Sequence, residues 1–246
     1  KGLRALDPRL YSAVSTVHGM PTIRRLLYGT FRDLVPFILL LATKTAFNSD
    51  TVLALRWSNI THSFDGQNVI IVGVMHRASV PQLSVAEASE DFGISRSVSF
   101  PAEPEIPDGL GDLLDTLRRL TERTAEILAD RDHFDRLFIG VPIKSGAVAK
   151  AFEHNAGASS DSAWKYWLKQ FIVEHGLMHF TLKMLRSTEG EEEYRRSGGD
   201  LKAVQHRLGH RSVRTTRTFY TSDWMRRIGQ DRIGETCLFE VEKPAE

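Results

Sequence analysis

The chain has 246 residues, of which 41% are hydrophobic, 9% aromatic and 26% charged. At about 150 residues per domain it holds one or two domains, and its composition excludes a disordered, collagenous or disulfide-built chain. Lys and Arg number 32 against 31 Asp and Glu, a net charge of +1, so an anion-binding face must come from local clustering rather than from an overall positive charge.

Residues 1–20 are mixed, with Pro8 and Gly19 as breakers, and read as a linker or a lead-in helix. The chain begins at Lys1 rather than Met and is expected to be part of a longer protein. Residues 34–47 (LVPFILLLATKTAF) are apolar nearly all round, as a helix buried in a core would be, with Pro36 in its first turn. Leu34 to Ala42 is the longest apolar stretch, well short of the roughly 20 residues that span a bilayer, so no membrane partner is expected. Asn48-Ser49-Asp50 supplies turn and capping groups for a second helix over TVLALRW, residues 51–57.

Past Asp65-Gly66 the pattern becomes strand-like. Val69 to Val74 is rich in β-branched residues and Ser95 to Phe100 alternates, which predicts a small antiparallel sheet with a long connection. Pro101, Pro104 and Pro107 mark a loop, and Leu110 to Leu128 is an amphipathic helix. Leu137 to Ile139 is a short buried segment, and Gly146 to Ser160 is a loop of small residues. Helices are predicted over about 161–175 and 179–196. Asp200 then caps LKAVQHRL, Gly209 ends it, and a short helix runs from about Val213 to Phe219. The chain reads as α+β, mainly α-helical with one small antiparallel sheet. Its expected divisions are a lead-in over 1–20, one domain over 21–227 and a tail over 228–246.

The most one-sided stretch is 205–227, QHRLGHRSVRTTRTFYTSDWMRR. It holds Arg207, Arg211, Arg214, Arg217, Arg226 and Arg227 against the single acid Asp223. Thr215, Thr216, Thr218 and Tyr220 interleave short hydroxyl donors. Fixed cations beside neutral donors suit phosphate oxygens; a solvated basic helix face is the plainer alternative. The words around these charges resemble the signature of the tyrosine recombinases, the phage integrase family: Leu208-Gly209-His210, the Thr215-Thr216 pair, and Tyr220 ten residues after His210. Phe219 holds the nine-residue spacing but has no nucleophile. Thr181-Leu-Lys-Met-Leu-Arg186 resembles the family's HxLR box, with Arg186 lying 24 residues before His210. Gly198-Gly199-Asp200-Leu-Lys-Ala-Val-Gln205 and Leu53-Ala-Leu-Arg-Trp57-Ser-Asn-Ile60 resemble two further segments. The likeness spans residues 30 to 225 in consistent order.

The resemblance implies the fold of that family's catalytic domain and a site-specific recombinase or integrase. Such an enzyme cuts and rejoins double-stranded DNA through a 3′-phosphotyrosyl intermediate, with no metal or other cofactor. It implies Tyr220 as nucleophile, with Arg186 and His210 on the phosphate. Lys183, one helical turn before Arg186, stands where the family usually has His. DNA contacts are expected from Arg207, Arg211, Arg214, Thr215, Arg217 and Arg77. A homo-oligomer on DNA in the cytoplasm is expected, after an N-terminal clamping domain and with the tail packing on a neighbouring protomer. The single Cys237, unable to form an internal disulfide, agrees with a reducing compartment.

Two positions depart from the family pattern. Asn48 stands where the first catalytic arginine is expected, and the hairpin VIIVGVMHRAS…ISRSVSF has no lysine, leaving His76, Arg77 or Arg96 as substitutes. A catalytically impaired DNA-binding module on the same fold is therefore the alternative, and a helical protein-interaction domain a remoter one. His175 and His179, like His206 and His210, are four residues apart, a zinc-compatible spacing, but no third ligand or Cys cluster accompanies either pair. Glu191 to Glu193 reads as a solvated helix face, and Trp57, Trp164, Trp167 and Trp224 as core or interface anchors.

Overall fold

A computed structural model describes residues 27–75, 94–101, 110–128, 134–141, 149–152, 163–210 and 212–219, with isolated positions before residue 27. Tyr220, Arg211, Arg77, His76, Trp224, Cys237, the tail 228–246 and most of the lead-in therefore lie outside the described residues. The described residues form seven helices, a three-stranded sheet and a two-stranded one, mainly helical as expected. They divide into two units. The first runs from residue 1 to Leu40 and from Asp50 to His179; the second joins Leu41–Ser49 to the chain after Phe180.

Helix α1, Phe31–Thr45, starts three residues before the predicted boundary and ends two before it. The early start has a local cause: Asp33 Oδ2 accepts both the Thr30 amide, at 3.1 Å, and the Thr30 hydroxyl, at 2.5 Å, which caps the helix. Pro36 consequently sits in the second turn rather than the first, on the exposed side. The early end follows from Ala46, a buried residue at φ 51° that turns the chain out of the helix.

The second helix is also shorter than predicted. Helix α2 covers only Ser49–Leu53, and a 3-10 turn follows at Trp57–Asn59. Between them the chain is drawn into extended pairing with a distant segment. The Trp57 amide donates to the Asp135 carbonyl at 2.7 Å, and the Leu137 amide donates to the Leu55 carbonyl at 3.1 Å. This pairing satisfies backbone groups that a continued helix would have used internally. Strand β1, Ile60–His62, was not predicted. It adds to the edge of β2, Asn68–Met75, which pairs antiparallel with β3, Ile94–Pro101, in the register Ile71 to Val98. Val69 and Ile71 are buried along β2 while Ile70 and Val72 are only half-buried, the two-residue period of a strand.

Helix α3, Leu110–Glu126, buries Leu110, Leu114, Leu117, Thr121 and Thr124 along one stripe. Leu137, Phe138 and Ile139 are buried as expected, and β4, Ile139–Gly140, pairs with β5, Lys150–Ala151, which lies within the predicted small-residue loop. Helix α4, Ala163–Glu174, buries Trp164 against Phe152, which in turn contacts Phe31. Trp57 is half-buried under the Arg118 guanidinium, 4.7 Å from its ring. No helix among the described residues is long and apolar enough to cross a membrane.

In the second unit, α5, Leu182–Arg196, begins at a Thr181 cap rather than at 179; the Thr181 side chain accepts from the Met184 amide. Its inner stripe repeats every four residues: Leu182, Arg186, Gly190 and Tyr194. Helix α6, Leu201–Leu208, has the predicted caps. Asp200 accepts from the Lys202 amide at 2.7 Å, and Gly209 closes the helix at φ 65°. Tyr194, Val204, Leu208 and Ala46 form one apolar cluster with Leu201 against it. Helix α7, Val213–Phe219, follows.

Candidate active site

The inner stripe of α5 carries one charged residue, Arg186, only 5% exposed. A buried guanidinium must have its donors matched, since it cannot shed its charge. Arg186 Nη1 donates to the Ala46 carbonyl, and Nη2 donates to the Leu208 carbonyl at 2.5 Å. These two acceptors lie at helix ends, where carbonyls lack intrahelical donors and carry the negative end of the helix dipole. One side chain on α5 thus ties the end of α1 to the end of α6.

His210 completes the group. It follows the left-handed Gly209, and its backbone is held on both sides. Its amide donates to the Gln205 carbonyl at 3.0 Å, and Gln205 Nε2 donates to its carbonyl at 2.9 Å. The ring bridges two elements. Nε2 lies 3.4 Å from Arg186 Nη2, and Nδ1 lies 2.9 Å from the hydroxyl of buried Thr216 on α7. Arg186 and His210, distant in sequence, are therefore neighbours in one polar cluster.

The other expected residues are placed as follows. Lys183 is exposed one turn before Arg186. Asn48 is half-buried two residues after Ala46, whose carbonyl Arg186 holds. Lys44, a cation four residues before Asn48, is exposed in the last turn of α1. Arg214, Thr215 and Arg217 are exposed on α7. Arg207 differs from them: it is half-buried and paired at 2.9 Å with Glu189 of α5. That ion pair links α5 to α6, and no sequence pattern announces it because the partners lie on separate helices. Arg96 is half-buried on β3 opposite Gly73, in the first unit. Tyr220, Arg211 and Arg77 lie outside the described residues. Glu192 and Glu193 form ion pairs with Arg195 and Arg196 on the surface of α5, and the His175 ring lies 4.4 Å from Phe171. No group of three or more His, Cys, Asp or Glu among the described residues is placed to hold a metal.

Thr216 and Gln205 were not singled out as site residues from sequence. Thr216 lay within the Thr215-Thr216 pair, but only burial separates the two: Thr215 is exposed and Thr216 fully enclosed.

Chemically, the cluster is a cation and an imidazole held rigidly beside each other, with further cations on the exposed side of α7. Such a group suits an anion with several oxygens.

No model of a known protein family matches the chain, and no curated protein sequence does. Solved structures do match. One is the XerH site-specific recombinase bound to difH substrate in a pre-cleavage complex, at TM-score 0.50 and 18% identity, covering 82% of this chain and 45% of that one. Another is the XerA recombinase, at 0.45 and 17%, covering 97% and 63%. A third is the Tn1549 transposon integrase in complex with a circular intermediate DNA, at 0.43 and 13%, covering 82% and 62%. The chain spans less than half the length of the XerH chain that it matches. The fold, mainly helical with a small antiparallel sheet, is that of the tyrosine recombinase catalytic domain.

Proposed function

We propose that this chain is the catalytic domain of a site-specific DNA recombinase or integrase, over residues 21–227, and that it cuts and rejoins double-stranded DNA through tyrosine. The observation that carries this reading is the adjacency of Arg186 and His210, ten residues ahead of Tyr220.

The reaction places its largest demand on charge. The Tyr220 oxygen attacks the phosphorus, a 3′-phosphotyrosyl bond forms, and the bond to the 5′ oxygen breaks. The leaving oxygen takes up a proton. Negative charge gathers on the non-bridging oxygens as the pentacoordinate state forms, and donors fixed in advance stabilise it without reorganising. Arg186 already donates from Nη1 and Nη2 to the Ala46 and Leu208 carbonyls, so it acts on the phosphate through its fixed charge and its remaining N–H groups, with His210 beside it. Lys183, exposed one turn before Arg186, supplies or orients a proton. Asn48 occupies the place of a further cation with a neutral donor. Arg214, Thr215, Arg217 and Arg211 follow the DNA backbone, with Arg77 from the hairpin. Arg207, paired with Glu189, ties α6 to α5 behind these contacts. Because exchange joins strands of two duplexes, the working form is an assembly of several copies on DNA, with residues 228–246 packing on a neighbour.

A nicked suicide duplex tests the reading. Attack then releases a short fragment and traps the covalent protein–DNA adduct. The expected outcome is an adduct that disappears in Tyr220→Phe and falls at least 100-fold in Arg186→Lys, the size of losing one fixed donor from the transition state. Duplex binding without any adduct favours the second reading, a DNA-binding module, for which Asn48 in a cation's place is the supporting observation.

A further inference from the structure

Thr216 is fully enclosed, whereas Arg214, Thr215 and Arg217 around it on α7 are exposed. A hydroxyl removed from water needs a partner, and the Thr216 oxygen lies 2.9 Å from His210 Nδ1. Either ring nitrogen of a neutral imidazole can hold the proton, and the neighbours decide which does. The other nitrogen, Nε2, faces Arg186 Nη2 at 3.4 Å. A guanidinium has donors only, so Nε2 meets it with a lone pair. The proton of the neutral ring then sits on Nδ1, and the Thr216 oxygen accepts it. The opposite tautomer would set one N–H against another.

We propose that Thr216 is the positioning residue that holds His210 in its Nδ1–H tautomer and leaves Nε2 as the nitrogen that works on the substrate phosphate. The role of His210 in strand transfer rests on the function proposed above; the tautomer does not. The backbone of His210 is already pinned through Gln205, so ring rotation is the freedom that Thr216 removes. The bond is the same in both charge states. A neutral ring accepts a proton at Nε2 while Nδ1–H stays on Thr216. A charged ring donates from Nε2 to a phosphoryl oxygen with Nδ1–H still on Thr216. Protonation at Nε2 sets that N–H against Arg186 Nη2, so the charged ring needs a phosphoryl oxygen to accept from both, while Nδ1–H on Thr216 keeps the ring from turning.

Nitrogen-15 long-range correlation spectra of the imidazoles in the free protein read the tautomer directly, with His210→Gln assigning the signal. The wild type and Thr216→Ser should show the Nδ1–H pattern, and Thr216→Val, of equal shape but without the hydroxyl, should lose it to the Nε2–H form. On the nicked duplex, Thr216→Val should slow adduct formation about 10- to 100-fold, part of the contribution of a positioned acid–base group, with duplex affinity unchanged and with rescue by Ser. A wild-type Nε2–H pattern overturns the proposal, as does a Thr216→Val protein that keeps Nδ1–H. The wild-type reading needs no variant to fold. If the tautomers behave as expected and no protein forms adduct, the strand-transfer reading fails and the assignment of Thr216 stands.

Discussion

Ala46 shows how much one residue in the second unit is asked to do. It ends α1, lines the cluster of Tyr194, Val204 and Leu208, and presents its carbonyl to Arg186. It does so at φ 51°, where a side chain costs about 1–2 kcal/mol. Glycine would relieve that cost but remove a buried methyl worth about 0.8 kcal/mol. The two nearly cancel, so Ala46→Gly should change unfolding free energy by less than about 1 kcal/mol. Ala46→Val combines a branched side chain in the left-handed region with overpacking and should cost about 2 kcal/mol or more. Denaturant unfolding of the two variants separates them, and equal destabilisation would contradict this account of the turn.

At the level of elements, α6 is held by its ends. It has eight residues, too few to be stable by propensity alone. Asp200→Ala should cost about 1 kcal/mol through the lost cap, and Gly209→Ala a similar amount through its positive φ. The second change should also lower adduct formation, because Gly209 sets the direction in which His210 leaves the helix. Calorimetric melting of both variants, read beside the adduct assay, checks the pairing; a Gly209→Ala protein as stable and active as the wild type would refute it. The turn between β1 and β2 has a different anchor. The Ser63 hydroxyl and, second to it, the Gln67 amide donate to the Asp65 carboxylate and hold it below the usual carboxylate range. A lowered folded value means stabilisation that is present above the unfolded pKa and fades as pH falls through the folded one. Ser63→Ala should therefore move the Asp65 titration midpoint upward in carboxyl-detected NMR; an unmoved midpoint would assign the shift to another cause.

For the whole molecule, charge is distributed rather than plentiful. A net charge of +1 coexists with the arginine-rich stretch 205–227. Duplex affinity should fall steeply with salt, since each neutralised phosphate contributes about 0.9 to the logarithmic slope. Removing Arg214 and Arg217 together should lower the slope by about 2 and weaken binding alike on unrelated sequences, as measured by fluorescence anisotropy across a salt series. An unchanged slope would take the exposed face of α7 out of the interface. The second unit is also built from two distant stretches: Leu41–Ser49 enters it from the early part of the chain. That insertion brings Ala46, and Asn48 with it, to the helix that carries Arg186.

Local physics settled much of this in the sequence. Asp200 and Gly209 mark both ends of α6 because their capping chemistry needs only near neighbours, and the β-branched run of β2 with the alternation of β3 declares their pairing. The order of the Thr181–Arg186, Gly198–Gln205 and Leu208–Tyr220 words likewise pointed to the fold before any coordinate. Tertiary structure decided the rest. The helix expected over residues 51–57 gives way after Leu53 because the backbone of 55–57 pairs with 135–137, some 80 residues on. The partners of Arg186, the pairing of Arg207 with Glu189, and the division of labour between Thr215 and Thr216 depend on which groups are buried together. Burial makes an unmatched donor or acceptor costly, and that cost acts between residues near in space, so no linear spacing encodes it.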